Sequence, residues 1–296
     1  MITCKLRSRM LVVAAFGAVF LNQTAVASTT LYSIGPDPGT GYVPRDLQAI
    51  DPVGPTNQTV FQFGDGSMGF SGGLAYTSSN GFYVISQDNL GNSVLNQFAV
   101  PGAPAAALFT LGTGFNGGMA FDSSDGLLYA IADDGMGTSS LYRLNLLGGN
   151  AVSLFSLGTG FSGGLAFDSN TGLFYAIASD LMGNSTLYSI SLGGTVTALP
   201  INLGQGYTGG LTYDSVADRF YAIGSDTLGN SNLVDFTLLS NAPHSIGGLG
   251  PGFINAALTI VPDGGAPNVP EPAGFGLIGV GLSALGWMQI RRKTRP

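Results

Sequence analysis

Five aspartates recur at one position of a repeated pattern, and grouped carboxylates can bind a hard cation such as calcium, or the hydroxyls of a sugar. Each stands three residues after an isoleucine, and four of them open loops of the form Asp-x-x-Gly. The alternative is that each aspartate closes its own turn by accepting backbone N–H groups. Because each repeat has a single aspartate at this site, the second interpretation is favoured. The five are Asp37, Asp88, Asp134, Asp180 and Asp226.

Residues suited to acid–base or nucleophilic catalysis are scarce. His244 is the only histidine, so no second imidazole can share a metal with it, and no Gly-x-Ser-x-Gly pattern accompanies it. The sequence around it, Asn-Ala-Pro-His-Ser, predicts a loop. The only glutamate is Glu271, close to the C-terminus. We therefore predict no catalytic residue and no cofactor, with calcium as the one alternative.

A repeat organises the body of the chain. The string LGTGFSGGLAFD (157–168) recurs as LGTGFNGGMAFD (111–122) and LGQGYTGGLTYD (203–214), with looser copies at 67–76 and 249–260. Gly114, Gly160 and Gly206 therefore stand 46 residues apart. A tyrosine and then the Asp-x-x-Gly loop follow each of four copies in phase. Such periodicity indicates equivalent structural units.

Each unit predicts four short strands. In the third unit they are 164–168, 173–178, 186–191 and 196–203, separated by turn-forming Ser, Asn, Asp and Gly. Several strands are apolar on both faces, as in Phe174-Tyr175-Ala176-Ile177, whereas a sheet with one wet face would alternate with polar residues. Four-stranded sheets that pack face to face around an axis form a β-propeller.

The two ends of the body predict the number of blades. Segments 31–34, 47–51 and 59–63 match the second, third and fourth strands of a unit whose first strand is missing. A lone first strand, 254–261, follows the last complete unit. Joining them gives an all-β, five-bladed β-propeller over 28–262, with the last blade closed by both termini and no free sheet edge at the join. A linear β-solenoid would not explain the complementary fragments.

Two further features follow from this arrangement. The innermost strands read Gly-Gly-Leu-Ala-Phe, which predicts a central channel lined by small and apolar groups. Propeller glycosidases instead use carboxylates that project into the channel. An aspartate ends the first strand in three of the units, on the rim opposite the Asp-x-x-Gly loops, and is expected to cap the turn that follows. These residues are Asp122, Asp168 and Asp214; Thr77 and Ile260 replace them in the other two units.

Charge excludes one class of partner. Only 9% of the residues are charged, and with two lysines and one glutamate the chain cannot be a helical bundle or coiled coil. Between 28 and 270 there are three arginines against sixteen aspartates, and 3 − 16 gives −13. So acidic a body repels phosphate backbones, which argues against nucleic-acid binding.

The N-terminal 27 residues predict a secretory signal peptide. Basic residues precede an apolar run from 10 to 21, and Ala25 and Ala27 form an A-x-A cleavage site before Ser28. The alternative is a buried N-terminal helix. Cys4, the only cysteine, lies in the basic region and would leave with the peptide, so we expect an exported mature chain without disulfides.

The C-terminal end predicts a membrane anchor. After a linker at 263–269 comes Pro270-Glu271-Pro272, followed by residues 273–290, which carry no formal charge and would span about 27 Å as a transmembrane helix. The basic cluster that follows is expected to stay in the cytoplasm, which places the body on the outer side of the inner membrane. It consists of Arg291, Arg292, Lys293 and Arg295.

This ending (270–296) resembles the PEP-CTERM sorting signal of Gram-negative bacteria, which combines a Pro-Glu-Pro motif, a hydrophobic helix and an arginine-rich tail. The resemblance implies recognition by an exosortase-type processing enzyme at Pro270, Glu271 and Pro272, and an association with exopolysaccharide and biofilm. The alternative is a permanent single-span anchor.

Together these features predict a non-enzymatic binding or structural module. The precursor would pass the secretion translocon, remain anchored in the inner membrane, and reach the cell surface or extracellular matrix after processing. Its expected partner there is polysaccharide. The competing hypothesis is a secreted propeller hydrolase or lyase that acts on polysaccharide through carboxylates at its rim.

Overall fold

A computed structural model describes residues 29–36, 44–54, 56–63, 69–88, 90–99, 105–240, 242–253 and 257–261. Every regular element among them is a β-strand. The predicted signal peptide, linker, Pro-Glu-Pro motif and transmembrane helix lie outside the described residues, and so does Asp37. Within the described part, no helix is both long and apolar enough to cross a bilayer.

The strands form five four-stranded antiparallel sheets, so the predicted five-bladed propeller is confirmed. Four blades are continuous in sequence, and three of these follow one plan from the inner to the outer strand. Blade 2 is β8 (Met119–Asp122), β9 (Leu127–Asp133), β10 (Thr138–Asn145) and β11 (Asn150–Thr159); blade 3 is β12 (Leu165–Asp168), β13 (Leu173–Ser179), β14 (Asn184–Ile190) and β15 (Val196–Gln205); blade 4 is β16 (Leu211–Asp214), β17 (Arg219–Ser225), β18 (Asn230–Phe236) and β19 (His244–Pro251).

The other two blades differ at their inner strands. Blade 1 begins with a longer inner strand, whose register with its neighbour shifts between Phe70 and Leu74. Blade 5 takes its inner strand from the far end of the chain. Blade 1 is β4 (Gly69–Thr77), β5 (Gly81–Gln87), β6 (Ser93–Phe98) and β7 (Ala106–Gly112); blade 5 is β20 (Leu258–Val261), β1 (Thr30–Pro36), β2 (Pro44–Ile50) and β3 (Asn57–Gln62).

Pairing between the two ends of the described chain closes the ring. Thr30 lies opposite Val261, and Leu31 lies opposite Ile260. The inner strands contact one another in cyclic order, with β20 between β16 and β4. The predicted pairing of the first and last strands of the body within one blade is therefore confirmed, and it leaves no unpaired edge at the join.

The hydrophobic core lies between the blades, as the strands with two apolar faces predict. Phe174 packs with blade 2, where its ring centroid is 4.8 Å from that of Tyr129. The next residue, Tyr175, packs with blade 4, 4.8 Å from Phe220. Five such clusters each join two neighbouring blades. Each blade is thus stabilised by both of its neighbours.

The inner strands leave almost no space on the axis. The N–H of Gly118 donates to the carbonyl of Gly163 (3.1 Å), and that of Gly164 donates to Gly209 (3.0 Å), so neighbouring blades bond directly across their glycines. A Cβ atom on Gly164 would overlap the backbone nitrogen of Leu211. The passage between these glycines has a volume of about 20 Å³, room for one water. We call this ring the glycine seal; its members are Gly73, Gly118, Gly164 and Gly210.

Candidate functional site

The Asp-x-x-Gly loops lie together on one rim of the propeller, which we call the Asp-turn rim. In blade 3, Oδ1 of Asp180 accepts the N–H groups of Met182 (2.8 Å) and Asn184 (2.9 Å), and Asn184 Nδ2 donates to Oδ2 (2.9 Å). Both carboxylate oxygens are therefore used within the turn. Asp88, Asp134 and Asp226 accept the corresponding backbone bonds in their own blades.

These aspartates do not converge on a common centre. Among the described residues, no group of three or more His, Cys, Asp or Glu side chains could hold a metal ion. Each carboxylate is exposed and faces its own loop, which is the geometry of a turn-closing residue. The fifth member of the predicted set, Asp37, lies outside the described residues.

We expect millimolar calcium to leave the melting temperature of the mature chain unchanged, because the carboxylates already accept bonds from their own turns. Both oxygens are engaged in Asp88, Asp180 and Asp226, and Oδ1 is engaged in Asp134. The check is a thermal melt followed by circular dichroism with and without CaCl₂, with MgCl₂ as the ionic-strength control. A rise produced by calcium alone would restore the cation hypothesis for this rim.

Hydrogen bonds hold the pKa of the Asp180 carboxyl below its ordinary value of 3.8, and the amide side chain of Asn184 is the largest cause. A carboxyl whose pKa is lowered in the folded state stabilises that state above the unfolded pKa. This stabilisation is lost as the pH falls through the lowered value. The turns should therefore weaken only in acid, below about pH 4.

Substituting Asn184→Ala should raise the pKa of Asp180 towards 3.8, since it removes the Nδ2 donor. The measurement is a carboxyl-carbon NMR titration. Asp134 is the internal control, because Thr138 stands where the other turns have asparagine and backbone N–H groups are the largest causes of its lowered pKa. An Asp180 pKa that does not move in the variant would contradict the assigned bonds.

The opposite rim carries the first and last described residues, Thr29 and Val261, and a second set of turns, and we call it the terminal rim. Asp168 is 2% exposed there; it accepts the N–H of Asn170 (2.8 Å) and the hydroxyl of Thr171 (2.6 Å). Asp122 and Asp214 cap the equivalent turns. The predicted capping role is therefore confirmed.

One detail of that prediction is wrong. Val261, not Ile260, occupies the capping position in blade 5, because Val261 pairs with Thr30 as Asp214 pairs with Arg219. The segment between Gly252 and Leu258 holds one residue more than its counterpart between Gly206 and Leu211. In blade 1, Thr77 does stand in place of aspartate, and its hydroxyl accepts the N–H of Asn80 (3.1 Å).

A blind pocket, which we call the axial cup, opens on the terminal rim. It has a volume of about 240 Å³, and Met119, Leu165 and Leu258 form its floor next to the glycine seal. One large side chain from each inner strand lines the wall, and a serine from each of four blades stands at the mouth. The wall residues are Tyr76, Phe121, Phe167, Tyr213 and Ile260, and the mouth serines are Ser78, Ser123, Ser169 and Ser215.

The cup agrees only in part with the channel predicted from the sequence. Small and apolar groups line the seal and the floor, as expected. The wall, however, carries aromatic rings, and the mouth carries hydroxyl groups. The serines follow the last residues of four of the five inner strands, so they belong to the turns, and only the closed ring brings them together around one axis.

A charged cluster on blade 4 was not anticipated. Arg219 Nη1 forms an ion pair with Oδ2 of Asp235, and Oδ1 of Asp235 bonds Nδ1 of His244 (2.8 Å). Asp235 is 6% exposed, and a buried carboxylate requires such partners. His244 is the first residue of β19 and pairs with Asp235, rather than lying in the predicted loop. In the described structure its ring bonds only Asp235, so a nucleophile that would complete a triad is not part of this cluster.

A signal for this cluster was present in the repeats. Blades 2 and 3 have leucine where Arg219 stands, at Leu127 and Leu173. Asp235 likewise differs from the residues at the same position of the other blades, which are Arg143 in blade 2 and Ser189 in blade 3. Two substitutions of opposite charge in the same unit indicate an ion pair. Without the register of the strands, however, the sequence does not show that the two positions are adjacent.

A groove between blades 4 and 5 lies beside this cluster. It has a volume of about 720 Å³ and is lined in part by Asp51, Asp214 and Arg219. Asp214 is already engaged, because it accepts backbone N–H groups from its own turn and the hydroxyl of Thr29 (2.9 Å). Asp51 also accepts a backbone N–H of its own turn, that of Val53 (2.8 Å), so each of the two carboxylates in the groove caps a turn, and Asp214 in addition bonds the first described residue of the chain.

Comparison with known proteins shows the fold. The sequence matches no known family model and no curated protein. The structure is similar to an engineered GH43 glycoside hydrolase with endo-xylanase and exo-arabinofuranosidase activity (TM-score 0.54, 16% identity, 83% of this chain and 55% of that one). It is also similar to TolB from Acinetobacter baumannii (TM-score 0.51, 16% identity, 75% and 53%). The chain thus spans a little over half the length of either protein, and the likeness is one of β-propeller architecture.

Proposed function

We propose that this protein is an exported, non-enzymatic propeller that acts as a binding or structural module of the cell surface or extracellular matrix, with polysaccharide as its partner. The observation that carries the proposal is the use of the rim carboxylates. On both rims they accept hydrogen bonds from their own turns, as at Asp168 and Asp180. Groups committed in this way support the fold rather than proton transfer to a substrate.

Sorting would depend on the two ends of the chain. The precursor would cross the secretion translocon, lose residues 1–27, and be held in the inner membrane by residues 273–290. An exosortase-type enzyme would then remove the tail at Pro270-Glu271-Pro272. The position of both described chain ends on the terminal rim supports this scheme, because a tether at Val261 leaves the Asp-turn rim facing away from the membrane.

Mass spectrometry of the mature protein from its native host tests the sorting. The expected protein begins at Ser28 and ends within or next to the Pro270–Pro272 motif. A tail that is intact through Pro296 would contradict processing and leave a permanently anchored protein.

The rival function, a polysaccharide hydrolase or lyase, is favoured by one observation: the groove between blades 4 and 5 contains Asp51 beside Arg219. Incubation of the mature chain with the extracellular polysaccharide of its host separates the two functions. The binding module should be retained on the polymer without creating new reducing ends or unsaturated products. Formation of either product, with its loss in Asp51→Asn, would establish the enzyme instead.

A further inference from the structure

We propose that the axial cup binds one neutral pyranose ring, as the end or a side branch of a polysaccharide. This inference rests on the proposed function, and it assigns the site and the chemical class of the ligand. The cup is smaller than the roughly 300–1,000 Å³ of sites for drug-sized ligands, so its 240 Å³ suits a single ring.

The cup is closed at one end and rigid. The glycine seal blocks the axis through the bonds from Gly118 to Gly163 and from Gly164 to Gly209. A ligand can therefore enter and leave only at the terminal rim. The floor and wall belong to inner strands that are each held by two neighbouring blades, so little ordering of the protein is needed on binding.

Aromatic rings in the wall provide a surface for the C–H groups of a sugar. Phe121 and Phe167 are half-buried, which leaves part of each ring open to the cup. Phe167 is fixed against Phe174 of its own blade, with centroids 4.9 Å apart. The negatively polarised face of such a ring attracts the weakly positive hydrogens on one side of a pyranose.

The mouth supplies matching polar groups, and this observation is independent of the rings. Ser78, Ser123, Ser169 and Ser215 are exposed, and none of their hydroxyls bonds another described residue. A hydroxyl both donates and accepts, as the hydroxyls of a sugar do. A ring of hydroxyls around an aromatic wall therefore fits the edge and the face of one pyranose at the same time.

Charge selects a neutral sugar. Three of the mouth serines directly follow the buried carboxylates of Asp122, Asp168 and Asp214. No arginine or lysine is among the described residues that line the cup; Arg143 lies on β10, and Arg219 lies in the groove between blades 4 and 5. An anionic sugar would meet this negative field without a countercharge, which discriminates against it.

The test is isothermal titration of the mature chain with methyl glycosides of glucose, galactose, mannose and fucose, and with galacturonate as the anionic probe. We expect roughly millimolar binding of at least one neutral glycoside, which is typical for so few ligand atoms, and none of galacturonate. Preference for galacturonate, or no binding of any neutral glycoside, would overturn the proposal.

Variants locate the site. Phe121→Leu keeps apolar volume but removes the ring, and should weaken binding roughly tenfold. The double change Ser123→Trp with Ser169→Trp fills the mouth and should abolish binding, while Ser153→Trp, on the exposed outer strand β11, is the matched control and should bind normally. Unchanged binding in the double variant would place the site elsewhere.

Binding of the host polysaccharide by the wild-type chain and by the double variant distinguishes a failure of the cup as the binding site from a failure of the proposed function. If the mature chain binds host polysaccharide and the double variant binds it equally well, the proposed function stands and the cup is not its site. If the wild-type chain binds no polysaccharide at all, the proposed function fails as well.

Discussion

Gly164→Ala should destabilise the propeller by about 3 kcal/mol or more, at the upper end of the range for overpacking. The new methyl group would overlap the backbone nitrogen of Leu211 in the next blade, and a backbone atom cannot move aside as a side-chain end can. For a domain of this size the melting temperature should fall by about 6–12 °C. Thermal unfolding of the mature chain followed by circular dichroism measures the change.

Gly193→Ala in the same blade is the matched control. Its Cβ would meet nothing nearer than the Ser191 hydroxyl at 3.6 Å, so its effect should stay within about 0.5 kcal/mol. If the two variants have the same melting temperature, the direct contact between inner strands is not a feature of the folded protein.

Removal of β20 should have a larger effect still. A chain that ends at Ala257 lacks Leu258 and Val261, which are 3% and 1% exposed, and it leaves β1 as an unpaired inner edge. Loss of each of these two buried side chains alone lowers the free energy of unfolding by about 1.5–3 kcal/mol. The opened ring loses in addition the contacts of β20 with β16 and β4. Because the free energy of unfolding of a whole domain is only about 5–15 kcal/mol, we expect the shortened chain to be largely unfolded or aggregated at 25 °C.

A chain that ends at Pro262 is the control for this truncation, because it lacks the same tail but keeps the complete inner strand. It should melt in a single transition at the temperature of the mature chain. Gel filtration and circular dichroism compare the two. A chain ending at Ala257 that is as stable as its control would show that the fifth blade does not depend on the C-terminal strand.

The architecture could be predicted from the sequence because it depends on local repetition. Turn chemistry and two-faced apolar strands recur with a fixed spacing, and the incomplete units at the two ends have complementary gaps. Strand bounds in blade 3 differ from the prediction by only a few residues; β15 runs on to Gln205, for example, since Gln205 still pairs with Asn184.

Features that depend on register or on the closed ring could not be predicted. The additional residue before Leu258 shifts the capping position of blade 5 by one, which spacing alone does not reveal. The pairing of Asp235 with Arg219 and His244 requires three strands to be aligned. The axial cup arises only when five inner strands converge, so its serines do not stand out in the linear sequence.

The pairing of β1 with β20 closes the ring, and a cysteine pair across these two strands tests it most directly. In a chain expressed from Ser28, which omits Cys4, Thr30→Cys and Val261→Cys would introduce the only thiols, on facing residues of paired strands within reach of a disulfide. Thr138→Cys with Thr159→Cys, a facing pair in blade 2, is the positive control. We predict that mild oxidation links the terminal pair within one molecule as completely as the control pair, as measured by intact mass and non-reducing electrophoresis. Efficient linking of the control pair, while both thiols of the terminal pair stay free, would contradict the closed propeller.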